Sequence, residues 1–375
     1  MTATHSPLAP SSAYRYVFCP GSVPLSQRYP ELEEGEAAAE GTASHWAGSE
    51  QLLGQAVHLG SVAPNGIVIT QEMLDGAQLW IDAVGGPHPE LMVEQRVAMP
   101  RVHEAAFGTP DTWRWFAADG VLRLYDYKYG YGIVEAPNNW QCIQYVCGVL
   151  DLLGIDGRND QEVWVEIVII QPRAPHPDGR VRTWRVRASD LRAMFNKLHM
   201  AAAEAMGPAP RTVSGSHCLH CPAAAHCQTL QRSTYAAADY LGDTATFELD
   251  TAASAYELQL LEHLEALVSA RLKARLADIE SRLKRGQSVP GFAMEPSYGR
   301  RTWKDHAEVI MLGDLLGVDL RTAAEAITPN QAKKLVDASV IDAYAHTPTT
   351  GLKLVRDTRL LDKARASFGT VINLE

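Results

Sequence analysis

The apolar positions of this chain follow two rhythms. Residues 34–53 are rich in Ala and Glu and read as a helix with His45 inside it. Residues 91–99 and 121–127 read as strands, with the turn carrying Asp111 between them. From 138 to 153 the apolar residues fall at helical spacing. Residues 163–170 form a continuous β-branched run, as expected of a buried strand. A Pro-rich turn leads to a further strand at 180–187, and residues 188–206 read as a helix. Helix, strands, helix, strands, helix predicts an α/β or α+β core, a mixed central sheet flanked by helices.

The rhythm changes after Cys227. Leu258, Leu261, Leu264, Val268, Leu272, Leu276, Ile279 and Leu283 recur at three- and four-residue steps. They predict one long helix over 251–285 with Gly286 just past its end. Pro290-Gly291 opens an extended stretch over 292–303. The rest reads as helical, with Thr328-Pro329 as a cap and first turn. A boundary at 230–240 separates a core of residues 1–235 from a mainly helical part, 236–375. The first ten residues read as a loose tail. Neither an internal repeat nor a P-loop is visible, so no ATP-driven motor is expected.

Of the 375 residues, 46% are hydrophobic and 21% charged, the balance of a globular chain. No apolar run has membrane-spanning length, and the start lacks a basic-then-apolar signal layout, which predicts a cytoplasmic protein. The net charge of −10, taken alone, argues weakly against nucleic-acid binding, but two stretches run the other way. Residues 173–187 carry five Arg against one acid, and 271–304 carry nine basic residues against three acidic ones. Arg173, Arg180, Arg182, Arg185, Arg282, Lys284, Arg300 and Arg301 are candidate DNA contacts, with Trp303 a candidate for stacking on an unpaired base. Solvated charged faces are the plain alternative, and the long helix also allows an oligomer interface.

The candidate chemistry lies in one short stretch. Asp111 follows Phe107-Gly108-Thr109-Pro110. Asp126 and Lys128 lie two apart on a strand and therefore share a face. Gln141 and Tyr145 lie four apart on the next helix. Carboxylates, a backbone carbonyl such as that of Tyr127, and water are what hard divalent cations bind. Such a cation offsets the charge of a phosphodiester and activates water. Lys128, beside the ion, is a candidate to position or deprotonate the nucleophile, with its pKa lowered by neighbouring cations. His45 adds an imidazole that shifts preference toward Mn2+ while permitting Mg2+. Each piece alone is an ordinary surface pair or polar helix face; the order and spacing carry the case.

Gly41-x-x-x-His45, Gly108-Thr-Pro-Asp111, Asp126-Tyr-Lys128 and Gln141-x-x-x-Tyr145 together resemble the successive motifs of RecB-like nucleases in the PD-(D/E)XK superfamily. The resemblance implies a restriction-endonuclease-like core. It implies His45, Asp111, Asp126 and the Tyr127 carbonyl as metal ligands, Lys128 as catalytic, and Gln141 and Tyr145 as supports of the site or the DNA. The strings Cys-Pro-Gly-Ser, Glu-Gly-Thr-x-x-His and Asp-Tyr-Lys-Tyr-Gly also resemble a phage-borne family associated with replication and recombination genes. That likeness extends through residues 286–304.

Cys218-x-x-Cys221 and Cys227 lie about 200 residues after Cys19. Clustered cysteines in a reducing compartment more often bind metal than form disulfides. Four thiolates match the usual ligand count of a [4Fe–4S] cluster. The spacing is similar to that of iron–sulfur members of the RecB-like group, AddB-type and CRISPR-associated nucleases among them. In those, the cluster staples the start of the nuclease domain to its end. Zinc is the rival occupant, because His217, His220 and His226 sit among the cysteines. Cys142 and Cys147, on the Gln141 helix, read as small buried hydrophobes.

The expectation is a deoxyribonuclease, first an exonuclease at DNA ends and next a structure-specific or single-strand endonuclease. It would act alone or with a recombinase, an annealing protein or a replisome component, in the bacterial host cytoplasm if phage-encoded. A non-catalytic DNA-binding scaffold and a zinc-stapled RNA-processing factor are the rivals from other classes.

Overall fold

The structure is a computed structural model. It describes residues 6–29, 35–240, 251–298, 302–321, 326–332 and 334–356. Arg300 and Arg301 lie outside the described residues. The chain divides into two compact units, Met1–Ala274 and Arg275–Glu375. No described helix is long and apolar enough to cross a membrane.

The first unit is mixed α/β. Its sheet contains β1 (Met92–Val93), β2 (Thr112–Phe116), β3 (Val121–Tyr127), β4 (Trp164–Ile170) and β5 (Val181–Arg187), in that spatial order. β3 and β4 run parallel and all other neighbours are antiparallel. The flanking helices are α1 (Ala13–Phe18), α2 (Glu36–Leu52), α3 (Gln71–Val84), α4 (Trp140–Leu152) and α5 (Arg192–Ala205). A parallel pair requires a crossover, and α4 lies within the one joining β3 to β4.

Two apolar layers follow from the strand alternation. Leu122 and Leu124 of β3 join Val165, Ile167 and Ile169 of β4 in one layer with α1, α4 and α5. Tyr125, Tyr127, Val168 and Ile170 face the other way, into a layer with α2 and α3. Period two then places Asp126 on the α4 side, at the end of an otherwise apolar row. α4 begins there because the Asn139 side chain accepts the Cys142 N–H at 3.1 Å and caps the helix.

Several elements differ from the expectation. The run 91–99 is not one strand. It breaks at Glu94, whose φ is 49°, and its halves pair with different partners: β1 with β2, and Val97–Ala98 with Phe107–Gly108. α3 and β2 were not anticipated. α3 is nonetheless legible in Met73, Ala77, Trp80 and Val84, all buried, with a Thr70 cap and Gly85 in the left-handed region past its end.

A helix over Thr251–Lys284, α6, follows the expected span. Its Leu264, Leu267 and Ala270 pack with Cys218, Ala224 and Leu230, and Arg271 donates to the carbonyls of Ala224 and Ala225. The unit boundary therefore falls inside α6. The second unit is less helical than expected. Phe292–Tyr298 pairs antiparallel with Thr349–Arg356, and Thr302–Trp303 with Ala345–His346. Thr349, Thr350 and Val355 are β-branched, and Leu352-Lys353-Leu354 alternates, both strand signals. Trp303, Val309, Leu320, Ala326 and Ile341 form this unit's core.

α2 and α3 pack closely because Gly48 leaves room for Trp80. A Cβ added at Gly48 would lie 2.5 Å from Trp80 Cε3. Gly48→Ala should therefore destabilise the protein by about 1–3 kcal/mol. A thermal melt would register this as a Tm several degrees lower; an unchanged Tm would show that Trp80 moves aside freely.

Candidate metal centre

β3 carries Asp126 and Lys128 to the end of the sheet. Lys128 Nζ donates to Asp126 Oδ1 at 2.8 Å, and Gln141 Nε2, from the first turn of α4, donates to the same oxygen at 3.3 Å. Asp126 is 1% exposed, and its Oδ2 has no hydrogen-bond partner. Asp111 enters from the start of β2. Its Oδ2 accepts the Tyr127 N–H at 2.7 Å, which ties it to the backbone beside Asp126. Its Oδ1 lies 3.1 Å from His45 Nε2, and Glu94 Oε1 lies 3.2 Å from the same nitrogen. One ligand atom each from His45, Glu94 and Asp111 falls within 4.8 Å of the others.

The supports come from the opposite layer. The Tyr127 ring stacks on Trp80 with centroids 5.1 Å apart, and its hydroxyl hydrogen-bonds with Ser44 Oγ at 2.8 Å. The His45 ring also lies 5.1 Å from Trp80. Tyr127 thus contributes only backbone to the centre. Tyr145 is buried, and a Cβ on Gly108 would come within 3.0 Å of its ring, so Gly108 permits the turn leading to Asp111 to lie against α4. Burial raises the Tyr145 hydroxyl pKa, and Asp111 and Asp126 add to the rise.

Glu94 is the member that the sequence did not reveal. It follows β1 in the left-handed region, with its N–H donating to the Asp111 carbonyl at 3.0 Å. A signal existed: Glu94-Gln95-Arg96 breaks an otherwise apolar stretch.

The charges are mutually compensating. Burial opposes protonation of His45, but Asp111 and Glu94 outweigh it and hold the imidazole at about 9. Burial lifts Glu94 to about 7 despite His45. Asp111 stays below the usual carboxylate range: burial would raise it, but His45, Lys128 and the Tyr127 N–H prevail. Burial raises Asp126, only partly countered by Lys128. Burial would lower Lys128, yet Asp126 and Asp111 raise it instead. In the ion-free protein Lys128 is thus a cation held between these carboxylates. Two partly buried cations stand against three carboxylates, and Asp126 Oδ2 is without a hydrogen-bond partner. A divalent ion fits this donor set: it would take up the unpartnered charge and displace the His45 proton.

All six cysteines are free thiols, and Cys19, Cys218, Cys221 and Cys227 lie near enough to influence one another electrostatically. Burial raises Cys218 to about 11, and the thiols of Cys221, Cys19 and Cys227 act on it as well. Cys19 Sγ accepts the Val213 N–H at 3.3 Å, Cys227 Sγ the Leu230 N–H at 3.5 Å, and Gly21 N–H donates to the Arg211 carbonyl at 2.8 Å. The N-terminal segment is thereby joined to residues 211–230. His217 hydrogen-bonds through Nε2 to the Val213 carbonyl and stacks on Phe18, while His226 stacks on Tyr29. Cys142 and Cys147 are fully buried within the core.

Two candidate DNA contacts, Arg182 and Trp303, are buried and serve the protein instead. Arg182 is buried and donates to the carbonyls of Gly179 and Val134 and to Gln171. Trp303 is 6% exposed, with its indole N–H on the Ile327 carbonyl, so no ring face is free for a base. Arg173 pairs with Glu40 and Glu72, Arg185 with Glu166, Arg282 with Asp278 and Lys284 with Glu280. Arg180 is exposed.

His45 and Glu94 bind protons more tightly when folded than in their ordinary states. Stability of the ion-free protein from these groups is full at low pH. The Glu94 share is lost as pH rises through about 7 and the His45 share through about 9. Tm should fall between pH 6 and 9, and Mn2+ should raise Tm more at pH 8.5 than at pH 6. His45→Gln should flatten the upper part of the profile; a profile identical to wild type would remove His45 from this network.

Residues 5–350 match the protein family described as "Protein of unknown function (DUF2800)", and the chain belongs to that family.

Proposed function

We propose that this protein is a metal-dependent deoxyribonuclease with a PD-(D/E)XK core of RecB-like type, acting as an exonuclease on DNA ends. The observation that carries the reading is the meeting of His45, Asp111, Asp126, Lys128 and Gln141 at one end of a mixed sheet, with one oxygen of a buried carboxylate left unpartnered. His45, Glu94, Asp111, Asp126 and the Tyr127 carbonyl hold Mg2+ or Mn2+. When bound, such an ion neutralises phosphate charge, activates water and stabilises the leaving oxygen. Lys128 supplies a fixed positive charge that orients the scissile phosphate and the attacking water. Gln141 keeps Asp126 Oδ1 in place, and Asp111, tied to the Tyr127 N–H, keeps the carboxylates in register.

A [4Fe–4S] cluster on Cys19, Cys218, Cys221 and Cys227 completes the proposal, with zinc the alternative. Engagement of the His217 ring by Val213 and Phe18 favours four thiolates over a mixed set. Such a centre closes a loop of about 200 residues and restrains the unfolded chain. A recombinase, an annealing protein or a replisome component is the fitting partner, in a bacterial cytoplasm.

The test is digestion of end-labelled linear DNA and of a covalently closed circle in Mn2+. Wild type should degrade the linear form and spare the circle. Asp126→Asn and Lys128→Ala should each lose about 10²–10⁴-fold in rate. Cleavage of the circle would make the protein an endonuclease, and equal digestion by wild type and both variants would sink the assignment. Anaerobically purified protein should be brown and carry about four irons per chain, the count of a [4Fe–4S] cluster. Colourless protein with one zinc would replace the cluster by zinc.

A further inference from the structure

The chain continues past Lys128 as Tyr129-Gly130-Tyr131-Gly132-Ile133-Val134, and its backbone is clamped from beneath. Gln171, just beyond β4 and wholly buried, donates through Nε2 to the carbonyls of Gly130 at 3.2 Å and Gly132 at 2.6 Å. Its Oε1 accepts the Val134 N–H at 3.1 Å. Buried Arg182 donates to that same Oε1 and to the Val134 carbonyl, both at 2.7 Å. Two buried polar side chains therefore hold four backbone groups of one short loop. Gln171 is itself anchored by its N–H on the Arg180 carbonyl at 2.7 Å.

What this rigid loop displays is apolar. Tyr131 is 62% exposed and Ile133 is 51% exposed. The Arg173 guanidinium lies 4.3 Å from the Tyr129 ring centroid and 4.5 Å from that of Tyr131, and is steadied by Glu40 at 2.9 Å and Glu72 at 3.0 Å. Tyr131 is thus backed by a fixed cation and otherwise open to solvent, three residues from Lys128. A plain connector would be polar and would need no buried Arg and Gln to shape it. Rigid display of an aromatic beside a phosphate-handling centre is the arrangement that binds a base with little ordering cost.

We propose that Tyr131, with Ile133 beside it, is a stacking platform for an unpaired nucleobase of the DNA strand entering the site. The inference rests on the nuclease reading and specifies its substrate: a strand whose terminal bases are separated from their partners. Exposed Arg180 adds charge of the sign a phosphate backbone requires.

The test is binding of a single-stranded oligonucleotide carrying 2-aminopurine, measured in EDTA with the full chain, followed by digestion kinetics in Mn2+. Tyr131→Ala should bind about 5- to 100-fold more weakly, with loss of 2-aminopurine quenching. Tyr131→Phe should keep wild-type affinity, and Tm should be unchanged in both because the side chain is exposed. In Mn2+, Tyr131→Ala should raise KM and leave kcat near wild type. If wild type digests DNA and Tyr131→Ala matches it in Kd and KM, the platform is wrong and the nuclease reading survives. If single strands bind through Tyr131 but are never cut, the nuclease reading fails and the platform stands. Failure of wild type to bind any DNA overturns both.

Discussion

The first unit is organised around a problem of charge. Three carboxylates, Glu94, Asp111 and Asp126, converge at the end of a hydrophobic sheet, where the burial of Asp126 and the partial burial of the other two weaken screening by water. His45 and Lys128 are the counter-charges that make this tolerable, and one Asp126 oxygen is still left without a partner. Isolated buried charge is costly enough that proteins either neutralise it or supply a cation. The protons on His45 and Lys128 are the internal substitutes for that cation, and Asp111 and Glu94 hold the His45 proton against the effect of burial.

The rest of the unit can be seen as the means of bringing these groups together. Strand alternation turns Asp126 toward α4 and Tyr127 toward α3, so one short motif serves both layers. Tyr127 is held by Trp80 and Ser44, and its backbone in turn holds Asp111. A shift of the α2–α3 packing would therefore reach the carboxylates through Trp80, which packs against both His45 and Tyr127. The kink at Glu94 works the same way: ending β1 early directs a carboxylate at His45 instead of continuing the ladder.

Two further constraints surround the centre. The cysteine segment draws the N-terminal chain against residues 211–230 and receives the front of α6, which is why the long helix belongs to the first unit over much of its length. On another side, Gln171 and Arg182 hold the loop after Lys128 in one shape. Arg182 illustrates how a basic residue in an Arg-rich strand can be structural: facing inward, its donors meet carbonyls rather than phosphates.

The sequence alone determined whatever depends on local periodicity. The apolar, β-branched run of 163–170 and the strand pattern of 121–127 marked the central strands, and the alternation of a strand placed Asp126 and Lys128 on one face. Period 3.6 gave α4 and α6, and the cysteine spacing isolated a thiol group. Tertiary structure decided which distant residues complete each cluster and which charges face inward. Glu94 joins His45 only because β1 kinks against β2. Arg182 and Trp303 look free in the sequence but are buried by partners far along the chain. The strand Thr349–Arg356 exists through pairing with Phe292–Tyr298, which lies more than fifty residues away. A side chain's face is set by its neighbours in sequence, whereas its partner is set by packing, and no local pattern encodes that.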